Sequence, residues 1–206
     1  MDVYFAGMML GLAMITPIGP QNIFLINQGF TFGVPRVFVA VVAAGICDTV
    51  LISLGGAGTS AVLERIPGIK EFLLAAGVVF LTYLAVKSFR SSFRSRPEDF
   101  DQSTAPEMRW PRVVAQCASV TVLNPHAVLD VVGILGVAIA AQDPAHRPGS
   151  TAGAVSASWL WFTALALGAS TLRRWLTPHR RVWIDRVSGA LLLVFAALFA
   201  GELLRP

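Results

Sequence analysis

The sequence predicts an all-α integral membrane protein, a bundle of six transmembrane helices built as two inverted three-helix repeats. Helices 1 and 4 are predicted to be interrupted near the midplane. Three observations predict this fold. First, 55% of the 206 residues are hydrophobic and 14% are charged, whereas soluble domains carry about 25% charged residues. Second, six apolar segments approach the roughly 20 residues that a helix needs to cross the hydrocarbon core. Third, the first and fourth segments contain prolines and polar residues at matching positions.

The six predicted spans follow one another with one long polar interruption. They cover residues 3–26, 37–62, 72–89, 113–141, 151–172 and 183–203. The polar segment SSFRSRPEDFDQSTAPEMRWPR, residues 91–112, separates three spans from three. We therefore expect a first repeat at 1–90, a cytoplasmic linker at 91–112 and a second repeat at 113–206, which together form one transmembrane domain.

The basic residues predict the orientation of this domain. Twelve of the 16 lysines and arginines fall on the side of the central linker, and the other four fall on the opposite side. Positively charged loops stay in the cytoplasm, so both termini are expected on the outer side. The positive charge is thus an orientation signal, and no nucleic-acid partner is expected. The N-terminal apolar segment lacks a basic n-region and is longer than a signal-peptide core, so we expect it to be the first span.

The first span is interrupted by the segment ITPIGPQNIFLINQG, residues 15–29. Gly19 gives the backbone freedom to bend, and Pro20 suits the first position of a new helix. Gln21 and Asn22 then place polar groups in the first turn of that helix.

The fourth span has a comparable interruption in TVLNPHAVLDVVG, residues 121–133. Proline breaks or kinks a helix that reaches it from the N-terminal side. Asn124 is a favourable N-cap and Pro125 a favourable first residue, so a helix is expected to restart here. When Pro20 is aligned with Pro125, His126 follows the second proline as Gln21 follows the first.

A helix that restarts inside the membrane presents unpaired N–H groups and the positive end of its dipole, which together suit a carboxylate. Irregular backbone at membrane depth is tolerated when it is buried in protein or lines a watery cavity. Transporters built from inverted repeats place their substrate where two broken helices meet. The alternative is that the prolines only kink ordinary spans.

Two acidic residues lie deep inside predicted spans. Asp48 is near the centre of the second span, and Asp130 lies in the fourth, four residues after His126. An aspartate at the centre of a membrane helix costs about 2.5–3.5 kcal/mol and by default marks a pathway or proton site. We expect one restarted helix to hold a substrate carboxylate, Asp48 or Asp130 to receive an amino group, and Asp48, His126 and Asp130 to carry protons. The alternative is a structural role within the bundle.

Four segments resemble the bacterial lysine/arginine exporter family (LysE/ArgO). These are GPQN in span 1, ICDTVLI in span 2, LNPHAVLD in span 4 and SWLWF in span 5. The resemblance implies an inner-membrane exporter of amino acids, basic ones first, driven by the proton gradient or the membrane potential. It assigns functional importance to Gln21, Asn22, Asp48, Asn124, His126 and Asp130.

One position departs from that family. Many members carry tyrosine where this chain has Val128, so its specificity can differ from theirs. The related homoserine/threonine exporters usually lack the aspartate at position 130, and the resemblance therefore favours cationic substrates such as lysine and arginine.

Other function classes explain the sequence less well. A divalent-metal or other small-cation exporter would use His126, Asp130 and Asp48 as ligands, although metal carriers tend to offer more carboxylates or thiols. An enzyme is not expected, because no serine–histidine or paired-aspartate arrangement is visible and Cys47 and Cys117 are isolated. We expect no cofactor.

Small residues recur at helix-packing spacing in GMMLG at 7–11, GGAG at 55–58 and GSTAG at 149–153. Such patterns let helices approach closely. Packing within one subunit and a homodimer both explain them. The other expected partners are an amino acid, protons or another coupling ion, and membrane lipid.

Overall fold

The computed structural model describes residues 3–57, 68–94, 108–175 and 178–204. Every regular element within these ranges is helical, so the predicted all-α class is confirmed for the described part of the chain.

The first predicted span forms two helices, α1 (Val3–Ile15) and α2 (Pro20–Phe32), which meet at an angle of 83°. A continuous helix is disfavoured here because prolines at positions 17 and 20 lack an N–H and clash with the preceding turn. Helix α2 ends at Gly33, whose φ of 63° lies in the left-handed region that favours glycine. The predicted interruption of the first span is confirmed.

The next two helices are uninterrupted. Helix α3 (Phe38–Gly56) corresponds to the second predicted span and α4 (Ile69–Arg94) to the third. Residues 58–62, the predicted end of the second span, lie outside the described residues.

The fourth predicted span is also interrupted. Helix α5 (Trp110–Val122) ends before Asn124, and α6 (Pro125–Val128) begins at the proline. The chain then widens into a π-helix, π1 (Leu129–Leu135), and returns to regular geometry in α7 (Gly136–Ala140). The interruption falls at the predicted place, whereas the π-helix was not predicted.

The last part of the chain contains two long helices. Helix α8 (Arg147–Leu172) continues into a short 3-10 turn (Arg173–Trp175), and α9 (Pro178–Leu203) follows.

The described helices support fewer spans than the six predicted. By length and hydropathy, α3, most of α4, α8 and most of α9 can each cross a membrane, and the bent pair α1–α2 makes a fifth span. Helix α5 has 13 residues and the apolar run Leu129–Ala140 is also short, so neither meets these criteria. The interruption divides the fourth predicted span into short pieces, and the six-span arrangement stays a prediction.

Helix α3 occupies the centre of the bundle. It packs against α5, π1, α7 and α8, whereas α1 and α2 both pack against α8, and α4 pairs with α9. This arrangement surrounds the middle of α3, where Asp48 lies, with parts of both halves of the chain.

Glycines allow the closest helix contacts. A Cβ atom on Gly7 of α1 would collide with the carbonyl of Ser150 in α8, and one on Gly153 would collide with the carbonyl of Tyr4. Gly55 of α3 approaches Gly136 of α7 in the same way. These small-residue segments are therefore used for packing within one chain, and they provide no argument for a homodimer.

Candidate functional site

The two helix interruptions face one cavity, which we call the break cavity. Its volume is about 220 Å³, and residues of α1, α2, α3, π1, α8 and α9 contribute to its wall together with the two interruptions. The polar side chains that line it are Gln21, Asn22, Asp48, Asn124 and Asp130.

Most of the residues predicted from the sequence meet in this cavity. The seven that line it are Gly19, Pro20, Gln21, Asn22, Asp48, Asn124 and Asp130. Pro125 is buried at the start of α6 and does not line the cavity. The side chain of His126 lies outside the described part of the structure, so its predicted contact with Asp130 stays a prediction.

The start of α2 presents backbone N–H groups to the break cavity. Gly19 is extended, with φ −113° and ψ −179°, and its carbonyl accepts the N–H of Ile23 at 3.1 Å. Gln21 and Asn22 precede Ile23, so their N–H groups have no acceptor within the helix. No side chain caps this terminus. The first turn of α2 is thus suited to an anionic group.

Asn22 holds the interruption between α1 and α2 together. Its side-chain nitrogen donates to the carbonyl of Ile15 at 3.2 Å and to the carbonyl of Pro17 at 2.9 Å. Backbone carbonyls left without partners at membrane depth are costly. The side chain of Asn22 therefore positions the interruption as well as lining the cavity.

Asp48 is a buried carboxylate with a neutral donor on each oxygen. The side chain is 4% exposed. Nε2 of Gln21 donates to Oδ1 at 3.1 Å, and Oγ of Ser158 donates to Oδ2 at 3.1 Å. Neither donor carries a positive charge, and a buried charge needs compensation by an opposite charge or a proton. Asp48 is therefore suited to receive a cation from the cavity.

Asn124 contributes an acceptor from the second interruption. Its backbone carbonyl accepts the N–H of Val128 at 3.1 Å at the start of α6. The side chain is 6% exposed, and its Oδ1 atom is buried without a hydrogen-bond partner. Buried polar atoms nearly always have a partner. This oxygen can accept an N–H group from a molecule in the cavity.

Asp130 brings a second carboxylate to the cavity from the π-helix. The residue is half-buried and lies in the first turn of π1. π-Helical turns occur frequently at functional sites. In π1 the backbone hydrogen bonds join residues that are five positions apart instead of four.

Sequence reasoning missed the contributions of α8 and α9. Ser158, the second donor to Asp48, lies inside the SWLWF segment, and its hydroxyl within an apolar run was the available signal. The rings of Phe162, Phe195 and Phe199 also line the cavity. Nothing in the local sequence distinguishes these three from other apolar residues in the same helices.

The described side chains do not form a metal centre. No group of three or more His, Cys, Asp or Glu residues in the described part of the chain could hold a metal ion. The cavity instead combines two carboxylates, three amides, aromatic rings and the N-terminal end of a helix. Such a set can bind a small molecule that carries both a carboxylate and cationic nitrogen.

The chain is similar to known proteins over most of its length. The profile of the family described as LysE type translocator matches residues 12–202. An arginine exporter protein ArgO from Shigella flexneri is 37% identical over 178 residues, which are 86% of this chain and 81% of that protein. ArgO from Serratia proteamaculans is 39% identical over 176 residues, 84% of this chain and 83% of that protein. ArgO from Salmonella paratyphi C is 36% identical over 206 residues, 98% of this chain and 93% of that protein. No solved structure matches the chain significantly.

Proposed function

The chain belongs to the LysE type translocator family, and on this premise we propose that it exports basic amino acids, arginine first and lysine second, through the break cavity. Its long apolar helices and its family make it a multi-pass membrane protein. We place it in the bacterial inner membrane, because its relatives are bacterial exporters of arginine.

The observation that carries this proposal is the environment of Asp48. A carboxylate that is 4% exposed, with neutral donors on both oxygens, lines a cavity that also contains Asp130. A cation in such a low-dielectric site needs a negative partner. A basic amino acid carries two cationic groups, its α-ammonium and its side chain, for these two carboxylates, whereas a neutral amino acid carries only one.

The remaining polar groups of the cavity suit the other end of an amino acid. The unpaired N–H groups of Gln21 and Asn22 are positioned to hold the α-carboxylate. The unpartnered Oδ1 of Asn124 is positioned to accept an N–H from the α-amino group or the side chain. The rings of Phe162 and Phe195 can add cation–π attraction to a guanidinium group.

Helix packing supports two three-helix repeats as the architecture of the exporter, and we propose that these repeats are inverted. An inverted repeat exchanges the first span with the fourth, the second with the fifth and the third with the sixth. Helices α1 and α2 pack on α8, and correspondingly π1 and α7 pack on α3. Helix α3 also packs against α8, and α4 against α9. Each of these two contacts joins a span to its equivalent in the other repeat, so the exchange leaves the contact unchanged. In this arrangement 1–90 and 113–206 are the repeats, 91–112 is a cytoplasmic linker, and both termini face outward.

Coupling to protons is the proposed source of energy, with the membrane potential as an additional driving force for a cationic substrate. Asp48 and Asp130 line one cavity and can exchange a proton for the substrate cation. His126 lies one residue after the start of α6, at the same interruption, and is proposed as the third proton-carrying group.

An export assay tests the proposal. Bacteria that lack their own basic amino-acid exporters are loaded with arginine-, lysine- or alanine-containing dipeptides, with and without the protein. We expect the protein to increase extracellular arginine most, lysine less and alanine not at all, and a protonophore to reduce the increase. Equal extracellular amino acids in both strains would refute the proposed function.

A further inference from the structure

A second cavity lies further along α2 and has a basic lining, so we call it the basic cavity. Its volume is about 330 Å³, and α2, α4, α5 and α9 form its wall together with Arg109. Three cationic side chains line it, Lys87, Arg109 and Arg112, together with one carboxylate, that of Asp185. None of the activity proposed for the break cavity uses these residues.

Helix α2 contributes to both cavities. Its first turn, with Gln21 and Asn22, lines the break cavity, and Asn27, Gln28 and Thr31 line the basic cavity. Gln28 comes six positions after Asn22 in α2, which corresponds to about 9 Å along the helix axis. Between the two polar groups α2 carries Ile23, Phe24 and Leu25, all of them buried.

Gln28 places an unsatisfied acceptor in this basic surrounding. Its Oε1 atom is buried and has no hydrogen-bond partner. The neighbouring amides are used differently, because Oδ1 of Asn27 accepts from Ser188 at 2.9 Å and Oε1 of Gln116 accepts from Lys87 at 3.4 Å. The basic cavity therefore offers positive charge for an anion and, separately, an acceptor that requires a hydrogen-bond donor.

Chloride can pair with Lys87 and Arg112 but has no hydrogen to donate to Gln28. Phosphate can donate an O–H group, but its negative charge is repelled by the Asp185 carboxylate in the same lining. A molecule with a carboxylate, a nearby N–H group and a positive charge suits all of these groups. An amino acid has this combination of groups.

We propose that the basic cavity is a second amino-acid site, on the cytoplasmic side, where substrate is loaded before it passes to the break cavity. Lys87 and Arg112 hold the α-carboxylate, and Oε1 of Gln28 accepts an N–H of the amino or guanidinium group. Asp185 offsets the repulsion between the three basic residues of the cavity and a cationic substrate side chain. The proposal rests on the proposed export function, and the cytoplasmic placement follows from the basic residues that border the central linker.

The test measures binding of L-arginine and of agmatine, which lacks the carboxylate, to the purified full chain by calorimetry. Wild type is expected to bind two L-arginine molecules, and Asp48→Asn is expected to retain one. In the Asp48→Asn background, Lys87→Gln and Gln28→Leu should each weaken the remaining site about tenfold, since each removes one charge-assisted or buried hydrogen bond. Agmatine should not occupy this remaining site.

Two further variants separate recognition from folding. Gln28→Glu keeps an acceptor oxygen and should retain more binding than Gln28→Leu. Arg90→Gln removes a positive charge from the same helix as Lys87, one turn away and outside the cavity lining, and should leave binding unchanged.

Other outcomes overturn the proposal in distinguishable ways. If Lys87→Gln and Gln28→Leu bind L-arginine as wild type does, while Asp48→Asn removes all binding, the second site does not exist. The proposed export function is unaffected by that result. If phosphate or agmatine fills the remaining site as well as L-arginine does, the basic cavity is not an amino-acid site. If the wild-type chain neither binds nor exports an amino acid, the proposed function itself is wrong.

Discussion

Nε2 of Gln21 lies 3.1 Å from Oδ1 of Asp48, which ties the first turn of α2 to the middle of α3. The two residues are 27 positions apart in the sequence. This bond joins the part of the break cavity that is suited to an anion with the part that is suited to a cation. A ligand that occupies both parts therefore acts on α2 and α3 together.

Replacement of Asp48 by Asn is expected to reduce arginine export by about 30-fold or more. The change keeps the shape of the side chain, replaces one of its two acceptor oxygens by an N–H donor and removes the negative partner of the substrate cation. Such close charge pairs contribute about 2–5 kcal/mol. The measurement is extracellular arginine at equal membrane levels of protein. Asp143→Asn, a charge change at an exposed position between α7 and α8, is the matched control and should export normally. Full export by Asp48→Asn would remove Asp48 from the site.

Ser158→Ala is expected to weaken arginine export about three- to tenfold, because one hydrogen bond to the Asp48 carboxylate is lost. Ser158→Thr keeps a hydroxyl and should restore most of the activity. The control is Ser156→Ala on the same helix, where the hydroxyl donates to the carbonyl of Ala152 at 2.8 Å and not to the cavity. Equal export by the Ala and Thr variants of Ser158 would show that its contact with Asp48 is not important.

Substitution by Leu should affect the thermal stability of the protein differently at the two asparagines of the helix interruptions. Asn124→Leu removes a buried oxygen that has no partner, so stability should stay unchanged or rise while arginine affinity falls. Asn22→Leu leaves two backbone carbonyls unsatisfied and should lower the unfolding temperature. Both are measured by thermal unfolding in detergent and by arginine titration. A loss of stability in Asn124→Leu with unchanged affinity would contradict its assignment as a substrate acceptor.

Gly153→Ala should destabilise the protein by about 1–3 kcal/mol, because its Cβ would overlap the backbone of α1. Gly168→Ala on the same helix meets nothing within 4 Å and should be neutral or slightly stabilising, since alanine favours helix. Thermal unfolding of the two variants tests the close contact of α1 with α8. Equal stabilities would mean that these helices do not approach as described.

The parts of the fold that depend on local chemistry could be predicted from the sequence. The absent N–H of Pro20 and Pro125 specifies where helices restart, and the structure begins α2 and α6 at these residues. Burial of Asp48 also followed from its place within an apolar run. The prediction of six spans stays a prediction, because the interruption at Asn124 leaves α5 too short to count as a span by itself.

The parts that depend on distant pairing could not be predicted. Ser158 and Asp48 are 110 residues apart, and no local pattern brings them together. The π-helix of 129–135 packs against α3, in the other half of the chain, and has no clear signal in the sequence. The basic cavity was likewise missed, because Arg109 and Arg112, which line it, were interpreted only as signals of membrane orientation.

The side chain of Asn22 replaces backbone bonds that a straight helix would have made. In an unbroken helix the carbonyl of Ile15 would accept from residue 19 and that of Pro17 from Gln21, whereas here one amide nitrogen serves both carbonyls. The replacement is asymmetric, since it supplies a donor to two carbonyls of the sharp turn and leaves the N–H groups at the start of α2 without an acceptor in the helix. The same bend that removes backbone pairing therefore keeps its free donors at the wall of the break cavity.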